Sequence, residues 1–187
     1  MKVTVKVRGQ VIHGFAWGAR IIAILGLAVF SRYARAADIV EVVQTAPLET
    51  TLSVPGVRDT QVVWIEMIES AKTSIDFEQF YVSEQASEAL TPVLDAIRSA
   101  AKRGVKIRFL VDAGFYKTYP ETVKELGKIS GIQTKTIDFS KYGGIQHAKF
   151  FMVDGLQSFV GSANFDWRAL SHIHEIGLRV TDAKVAK

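Results

Sequence analysis

Residues 146–164 read QHAKFFMVDGLQSFVGSAN, and this stretch decides the fold. The apolar run 150–153 is typical of a buried central strand, so we predict a strand over 148–153. Asp154-Gly155 indicates a hairpin turn, and a second strand at 158–161 is expected to return beside the first. The other predicted helices and strands are placed by their position relative to this hairpin.

Helical and extended patterns alternate on the N-terminal side of the hairpin. Asp59 is a candidate N-cap for a helix that begins at Thr60, and Thr91-Pro92 predicts the N-cap and first residue of a helix that ends at Gly104. A weaker helical pattern covers residues 121–130. Further strands are predicted at residues 74–82, 105–111, 132–137 and 177–180. Together these patterns predict an α/β sandwich with a mixed β-sheet flanked by helices.

The charge of the chain is unevenly divided. The first 36 residues hold six basic and no acidic side chains, whereas residues 37–187 hold 17 basic and 19 acidic ones, so the positive net charge of the chain comes entirely from the N-terminal leader. A net charge of −2 over residues 37–187 gives no global argument for nucleic-acid binding. The sequence has no cysteine, which excludes disulfides, thiolate metal sites and a cysteine nucleophile.

The leader has the three parts of a secretory signal peptide. A basic region precedes ten apolar residues, Ile21–Phe30, and Ala34-Arg35-Ala36 is a small-x-small cleavage site. An apolar run of this length spans about half of a bilayer core, which disfavours a transmembrane helix. We therefore predict a signal peptide at 1–36, an irregular lead-in at 37–58 and a catalytic domain at 59–187, exported to the periplasm or the exterior. An uncleaved membrane anchor and a mitochondrial presequence are the alternatives.

Polar side chains converge at the ends of the two hairpin strands. His147 and Lys149 are two residues apart on a strand, so their side chains leave the same face. Ser162 and Asn164 are also two apart, just beyond the second strand. An ammonium, a hydroxyl and a carboxamide can hold a phosphodiester, and the imidazole is free to attack phosphorus.

Two carboxylates and two further histidines lie near these residues in the sequence. Asp154 and Glu175 are candidates either to orient the imidazole or to fix the hairpin. His172 and His174 are expected at the surface. The carboxylates do not have the spacing of zinc proteases, and lysine and amide groups already neutralise developing charge, so we expect no metal and no cofactor.

Aromatic residues gather beside the same elements. Core packing accounts for Phe80, and a predicted loop at 114–119 is a candidate to shape substrate access. A structural role is expected for Trp167 and Arg168, with Arg168 a further candidate for phosphate contact.

The spacing H-x-K-x4-D-x6-G-S-x-N resembles the signature of the phospholipase D superfamily. It is met at every specified position, by His147, Lys149, Asp154, Gly161, Ser162 and Asn164. The resemblance covers about residues 55–182, with Ser171 and Glu175 matching a downstream element. It implies the sandwich fold and a metal-independent phosphodiesterase acting on nucleic acid or phospholipid.

The resemblance also implies a role for each site residue. His147 would form a phosphohistidine, Lys149 and Asn164 would grip the non-bridging oxygens, and Ser162 would support them. Asp154 would keep the local structure or the ring orientation. Contact with a membrane is expected only through a phospholipid substrate or an uncleaved leader.

The chain departs from the common family pattern because it holds one copy of the motif. In the family a second histidine, from a second copy, protonates the leaving oxygen and then activates water. We expect a homodimer in which each chain supplies one His147, as in the family's small bacterial endonucleases. The alternative is a half of a longer enzyme, inactive alone, that only binds phosphate or needs a partner half. Residues 182–187 look like the start of a C-terminal helix that is cut short, so one sheet face is expected to lack cover.

Overall fold

The computed structural model describes residues 3–7, 10–14 and 39–186, and the chain divides into two units, 1–37 and 38–187. In the first unit, strands β1 (Val3–Val7) and β2 (Gln10–Gly14) form an antiparallel hairpin. The apolar run and the cleavage site of the leader lie outside the described residues, so the signal peptide stays a prediction. Within the described part of the chain, no helix is long and apolar enough to cross a membrane.

The second unit contains four helices and ten strands in the described residues. The helices are α1 (Thr60–Ser70), α2 (Thr91–Lys102), α3 (Ala113–Thr118) and α4 (Glu121–Gly127), with a 3-10 turn at Ser140–Tyr142. The strands are β3 (Val40–Thr45), β4 (Arg58–Asp59), β5 (Ser74–Gln79), β6 (Val82–Ser83), β7 (Lys106–Asp112), β8 (Ile132–Ile137), β9 (Lys149–Val153), β10 (Gln157–Gly161), β11 (Phe165–Asp166) and β12 (Glu175–Thr181).

Eight of these strands form one mixed sheet in the order β4-β3-β12-β10-β9-β5-β7-β8. The pairs from β3 through β12, β10 and β9 to β5 are antiparallel, whereas β5, β7 and β8 run parallel to one another. The short strands β6 and β11 pair separately, in parallel. The predicted class, a mixed sheet flanked by helices, is confirmed.

Local signals fixed several element boundaries. The Asp59 carboxylate accepts a hydrogen bond from the Gln61 N–H at 2.8 Å, and α1 begins at Thr60 as predicted. The predicted N-cap of α2 is wrong by one residue. Leu90 is the N-cap, and Thr91 is the first residue of the helix. Asp154 and Gly155 have φ angles of 54° and 61°, and the Leu156 N–H donates to the Val153 carbonyl, so the predicted hairpin turn is confirmed.

The core lies between the helices and one face of the sheet, and Trp64 of α1 is at its centre. Its indole packs edge-on against Phe159 at 5.3 Å and stacks on Phe165 at 4.9 Å between ring centroids. Truncation of an aromatic side chain buried in this way costs about 3–5 kcal/mol. The core thus joins the first helix to strands from the distant C-terminal half.

In the described part of the second unit, the opposite face of the sheet carries exposed apolar side chains. Val42, Leu178 and Val160 are cross-strand neighbours and remain 38–50% exposed. A cavity of about 370 Å³ opens on the same face beside Asp76 and Arg108. Over β3, β12 and β10, the described residues therefore leave this face partly exposed.

Two expectations about irregular segments are wrong. Within the predicted lead-in 37–58, residues 40–45 form strand β3, which pairs with β12 over six residues. The reason is tertiary, because the partner lies about 135 residues further along the chain. The predicted loop at 114–119 is mostly helix α3, whose N-cap Asp112 accepts hydrogen bonds from the N–H groups of Gly114 and Phe115.

Candidate active site

The candidate site lies where several strands of the sheet end. Strand β9 begins there with Lys149, β5 and β7 terminate beside it, and β10 ends in Gly161 next to the start of β12. Gln79, the last residue of β5, is the cross-strand partner of Lys149 and donates a hydrogen bond to the Phe150 carbonyl at 2.8 Å. The polar motif residues therefore gather at one end of the sheet.

His147 and Lys149 are in direct contact, as the two-residue spacing predicts. The Lys149 ammonium Nζ lies 3.3 Å from Nδ1 and 3.2 Å from Nε2 of the imidazole, and it donates to the His147 carbonyl at 3.1 Å. Because these two distances are nearly equal, the positive charge of the Lys149 ammonium lies about equally close to both ring nitrogens. His147 is exposed, whereas Lys149 is half-buried.

The lysine charge is held in a partly desolvated position. Burial lowers the pKa of Lys149, because desolvation penalises its charged form, and the negative charge of Glu175 opposes that shift. This electrostatic link brings Glu175 into the group around His147 and Lys149.

Ser162 and Glu175 are bonded to each other across β10 and β12. The Ser162 hydroxyl donates to a Glu175 carboxylate oxygen and accepts from the Ile176 N–H at 3.1 Å. The strands approach closely here because Gly161 and Gly177 are cross-strand partners. A Cβ on Gly177 would lie 2.3 Å from the Phe159 ring, so the core ring fills the space that a side chain would need.

Asn164 follows two residues after Ser162 and is half-buried. Its side-chain oxygen Oδ1 is buried and has no hydrogen-bond partner among the residues that the structure describes, an arrangement that is costly in a folded protein. The amide thus has unused hydrogen-bonding capacity.

The structure does not bring Asp154 to the other motif residues. It lies at the far end of β9 from Lys149, where its carboxylate accepts from the backbone N–H groups of Lys72, Thr73 and Ser74 and from the Thr73 hydroxyl, at 2.8–2.9 Å. Of the two roles considered for Asp154, these contacts support fixing the hairpin rather than orienting the imidazole.

Three residues at this site were missed by sequence reasoning. The Phe80 ring meets the His147 ring edge to face, with centroids 4.5 Å apart, although only core packing was predicted for it. Asp112 is 2% exposed and accepts from the Gln146 N–H at 2.9 Å, while the Gln146 side chain donates to Glu78 at 3.0 Å. The position of Asp112 at a strand end, before Ala113 and Gly114, was a sequence signal for a helix cap. Its contact with Gln146 depends on the fold, and the sequence gives no local signal for it.

The other histidines of the described second unit lie outside this group. His172 is exposed and its Nδ1 lies 2.7 Å from the Glu49 carboxylate, and His174 is also exposed. Among the residues described, no three His, Asp or Glu side chains are grouped so as to hold a metal ion.

The chain matches the family described as cardiolipin synthase, PLD-like domain, over residues 64–187. Among curated proteins, it is 33% identical to phospholipase D Z of Dictyostelium discoideum over 74% of this chain and 35% of that protein. It is 30% identical to the virion nicking-joining enzyme of vaccinia virus (63% and 28%) and to the 5′-3′ exonuclease PLD3 of Bos taurus (64% and 26%). The chain thus spans about a third or less of the length of these relatives.

One solved structure supports the same family, and a second shares the fold. The phospholipase D family member Nuc from Salmonella typhimurium is 26% identical, with a TM-score of 0.60 over 79% of this chain and 86% of that one. NucT from Helicobacter pylori, at 22% identity and a TM-score of 0.59 over 67% and 79% of the two chains, shares the fold. The chain belongs to the PLD-like domain family of the phospholipase D superfamily, which confirms the resemblance of its motif.

Proposed function

We propose that this protein hydrolyses phosphodiesters through a covalent phosphohistidine at His147, without a metal. The observation that carries the proposal is the contact of the Lys149 ammonium with both ring nitrogens of an exposed imidazole. A phosphodiester that approaches His147 meets the lysine charge at its non-bridging oxygens. The family membership supports the same class of reaction.

The proposed reaction has two steps. A ring nitrogen of His147 attacks phosphorus, a P–N bond forms, and the P–O bond to the leaving group breaks as that oxygen takes a proton from a general acid. Water then attacks phosphorus, gives its proton to the same group, and the P–N bond breaks. Lys149 and Asn164 stabilise the charge on the non-bridging oxygens in both steps, and Glu175 holds Ser162 and balances Lys149.

Hydrolysis of bis(p-nitrophenyl) phosphate with EDTA present tests this proposal. We expect His147→Asn to lower the rate by about 10³-fold or more, because the nucleophile is lost. His172→Asn is the matched control and should retain the wild-type rate. Intact-mass measurement after an alkaline quench should show a phosphoryl adduct on the wild type and none on His147→Asn. Full activity of His147→Asn, or activity abolished by EDTA, would contradict the proposal.

The general acid is proposed to be His147 of a second copy of the chain. Among the described residues, the hydrogen-bonding and aromatic partners of the His147 ring are Lys149 and Phe80, neither of which is a second histidine, and His172 is engaged with Glu49. A homodimer that faces two copies of His147 supplies the missing acid by symmetry.

Mixing wild type with His147→Asn tests the dimer. If each site needs both histidines, a fully exchanged 1:1 mixture retains about one quarter of the activity of the same total amount of wild type, whereas independent sites retain about one half. Retention of one half would contradict a shared site. A folded, inactive wild type would instead support the other candidate, a half-domain that needs a different partner.

A further inference from the structure

A group of aromatic rings and one arginine lies beside His147 and is not used in the proposed chemistry. We call it the aromatic cluster; it comprises Phe80, Tyr81, Phe115, Tyr119, Trp167 and Arg168. The residues come from three separate segments: the two residues between β5 and β6, helix α3 with its C-cap, and the segment after β11. The fold therefore assembles the cluster from distant parts of the sequence.

The cluster is in contact with the nucleophile through Phe80. The Phe80 centroid lies 4.5 Å from that of His147 and 5.4 Å from that of Tyr81, so the His147 and Tyr81 rings are at most 9.9 Å apart. Tyr81 in turn stacks on Tyr119, with centroids 4.8 Å apart and planes 24° from parallel. A connected series of ring contacts thus joins His147 to Tyr119.

A buried carboxylate fixes the outer end of the cluster. Asp166 is 1% exposed and accepts from the Arg168 backbone N–H at 2.7 Å and from its guanidinium at 3.0 and 2.5 Å. The guanidinium then lies 6.0 Å from the Tyr119 ring centroid and 5.7 Å from that of Trp167, within cation–π range. The rings are held in place before any ligand binds, which reduces the entropy cost of binding.

The outer rings of the cluster are less buried than the aromatic side chains of the core. Tyr81, Phe115, Tyr119 and Trp167 are all half-buried, unlike the fully buried Trp64. Burial, and secondarily the charge of Asp166, raises the pKa of Tyr81 to about 12, so its phenol stays neutral beside a polyanion at physiological pH. Neutral, partly exposed aromatic rings suit stacking with a planar ligand.

We propose that the aromatic cluster is a stacking site for the bases of a single-stranded nucleic acid whose phosphodiester lies at His147. This inference rests on the proposed function and names its substrate class. A base is joined to its phosphate through one sugar, so rings within 9.9 Å of the His147 ring are within reach of a base whose phosphate lies at His147. Stacking on aromatic rings requires unpaired bases, so a single strand is favoured over a duplex. A phospholipid headgroup offers no planar face to these rings.

Binding of a fluorescent oligothymidylate to His147→Asn, measured by anisotropy, tests the proposal, because this variant is not expected to cleave the probe. We expect Tyr119→Leu in that background to weaken binding by about fivefold or more. Tyr119→Phe keeps the ring and should bind like the parent, which separates loss of stacking from loss of fold. An abasic strand of equal length should bind weakly and respond little to Tyr119→Leu.

The outcomes distinguish this inference from the proposed function. Equal weakening of the abasic and base-bearing strands by Tyr119→Leu would overturn stacking, even if bis(p-nitrophenyl) phosphate is still hydrolysed. Base-dependent binding by a protein that hydrolyses no diester would support the stacking site and refute the proposed function. Binding to phosphatidylglycerol vesicles but not to the oligonucleotide would overturn the assignment of substrate class.

Discussion

At the scale of single residues, Asp154 shows how a motif position can serve the fold. Burial alone would raise the pKa of its carboxyl, but the hydrogen bonds from the backbone of Ser74, Lys72 and Thr73 and from the Thr73 hydroxyl outweigh it, and the pKa is lowered. The contacts join residues about 80 positions apart in the chain. Asp154 therefore closes the hairpin onto the start of β5.

This shift has a defined effect on stability against pH. Because the folded pKa lies below the unfolded one, the stabilisation is complete above the unfolded pKa of about 3.9 and is lost as pH falls through the folded pKa. We expect Asp154→Asn, which tolerates the positive φ of the turn, to reduce the free energy of unfolding at pH 7 by about 1–3 kcal/mol. Urea unfolding from pH 7 to pH 2 should show the two proteins converging at acid pH.

Asp138→Asn is the matched control for this prediction. The Asp138 carboxylate bonds to the backbone of Ser140, within its own turn, and does not connect distant segments. A difference between wild type and Asp154→Asn that stays constant down to pH 2 would show that the charged hydrogen bonds are not its cause.

At the scale of elements, Asp112 links helix α3 to the segment that carries His147. One carboxylate oxygen caps α3 through Gly114 and Phe115, and the other accepts from the Gln146 N–H. Asp112→Asn can keep the cap through its oxygen but presents an amide N–H₂ to the Gln146 N–H. The variant should therefore disturb the position of His147 more than the helix.

We expect Asp112→Asn to lower kcat for bis(p-nitrophenyl) phosphate by about tenfold, with a smaller change in KM, because a displaced nucleophile affects the transition state most. Asp59→Asn alters an N-cap of the same type on α1, away from His147, and should keep kcat. An equal loss of kcat in both variants would refute a specific positioning role for Asp112.

Elements with local signals were predictable, and those defined by distant partners were not. Asp59 and Asp154-Gly155 act on neighbouring residues, so their cap and turn could be read from the sequence. The contact of His147 with Lys149 agrees with the predicted two-residue spacing, although β9 begins only at Lys149 and His147 lies just before it. Phe80 and Asp112 contact the His147 segment because separate strands end at the same edge of the sheet. A short sequence pattern does not predict which strand ends will be neighbours.

At the scale of the whole molecule, β3 extends the folded unit beyond the segment that matches the family. Val43 of β3 is fully buried, and the Gln44 side chain bonds to Ser53, Val54 and Val57. Without β3, the long strand β12 loses the partner on one side and becomes an edge strand.

We expect a chain that begins at residue 48 to be less stable than one that begins at residue 38, by about 3 kcal/mol or more, because it loses a buried valine and a strand ladder. Chemical unfolding of the two chains, with light scattering to detect aggregation, measures the difference. Equal stability and solubility of the two chains would show that β3 is dispensable.

Because β3 pairs with β12, it cannot complete its pairing until the ribosome has synthesised residues far along the chain. At roughly 5–20 residues per second, the ribosome needs between about 6 and 26 s to proceed from the end of β3 to the start of β12. During that interval the valine-rich segment 40–43 is already synthesised and still lacks its partner strand. The nascent chain is therefore open to chaperone binding, and to mispairing with other nascent chains, until residues 175–181 leave the ribosome.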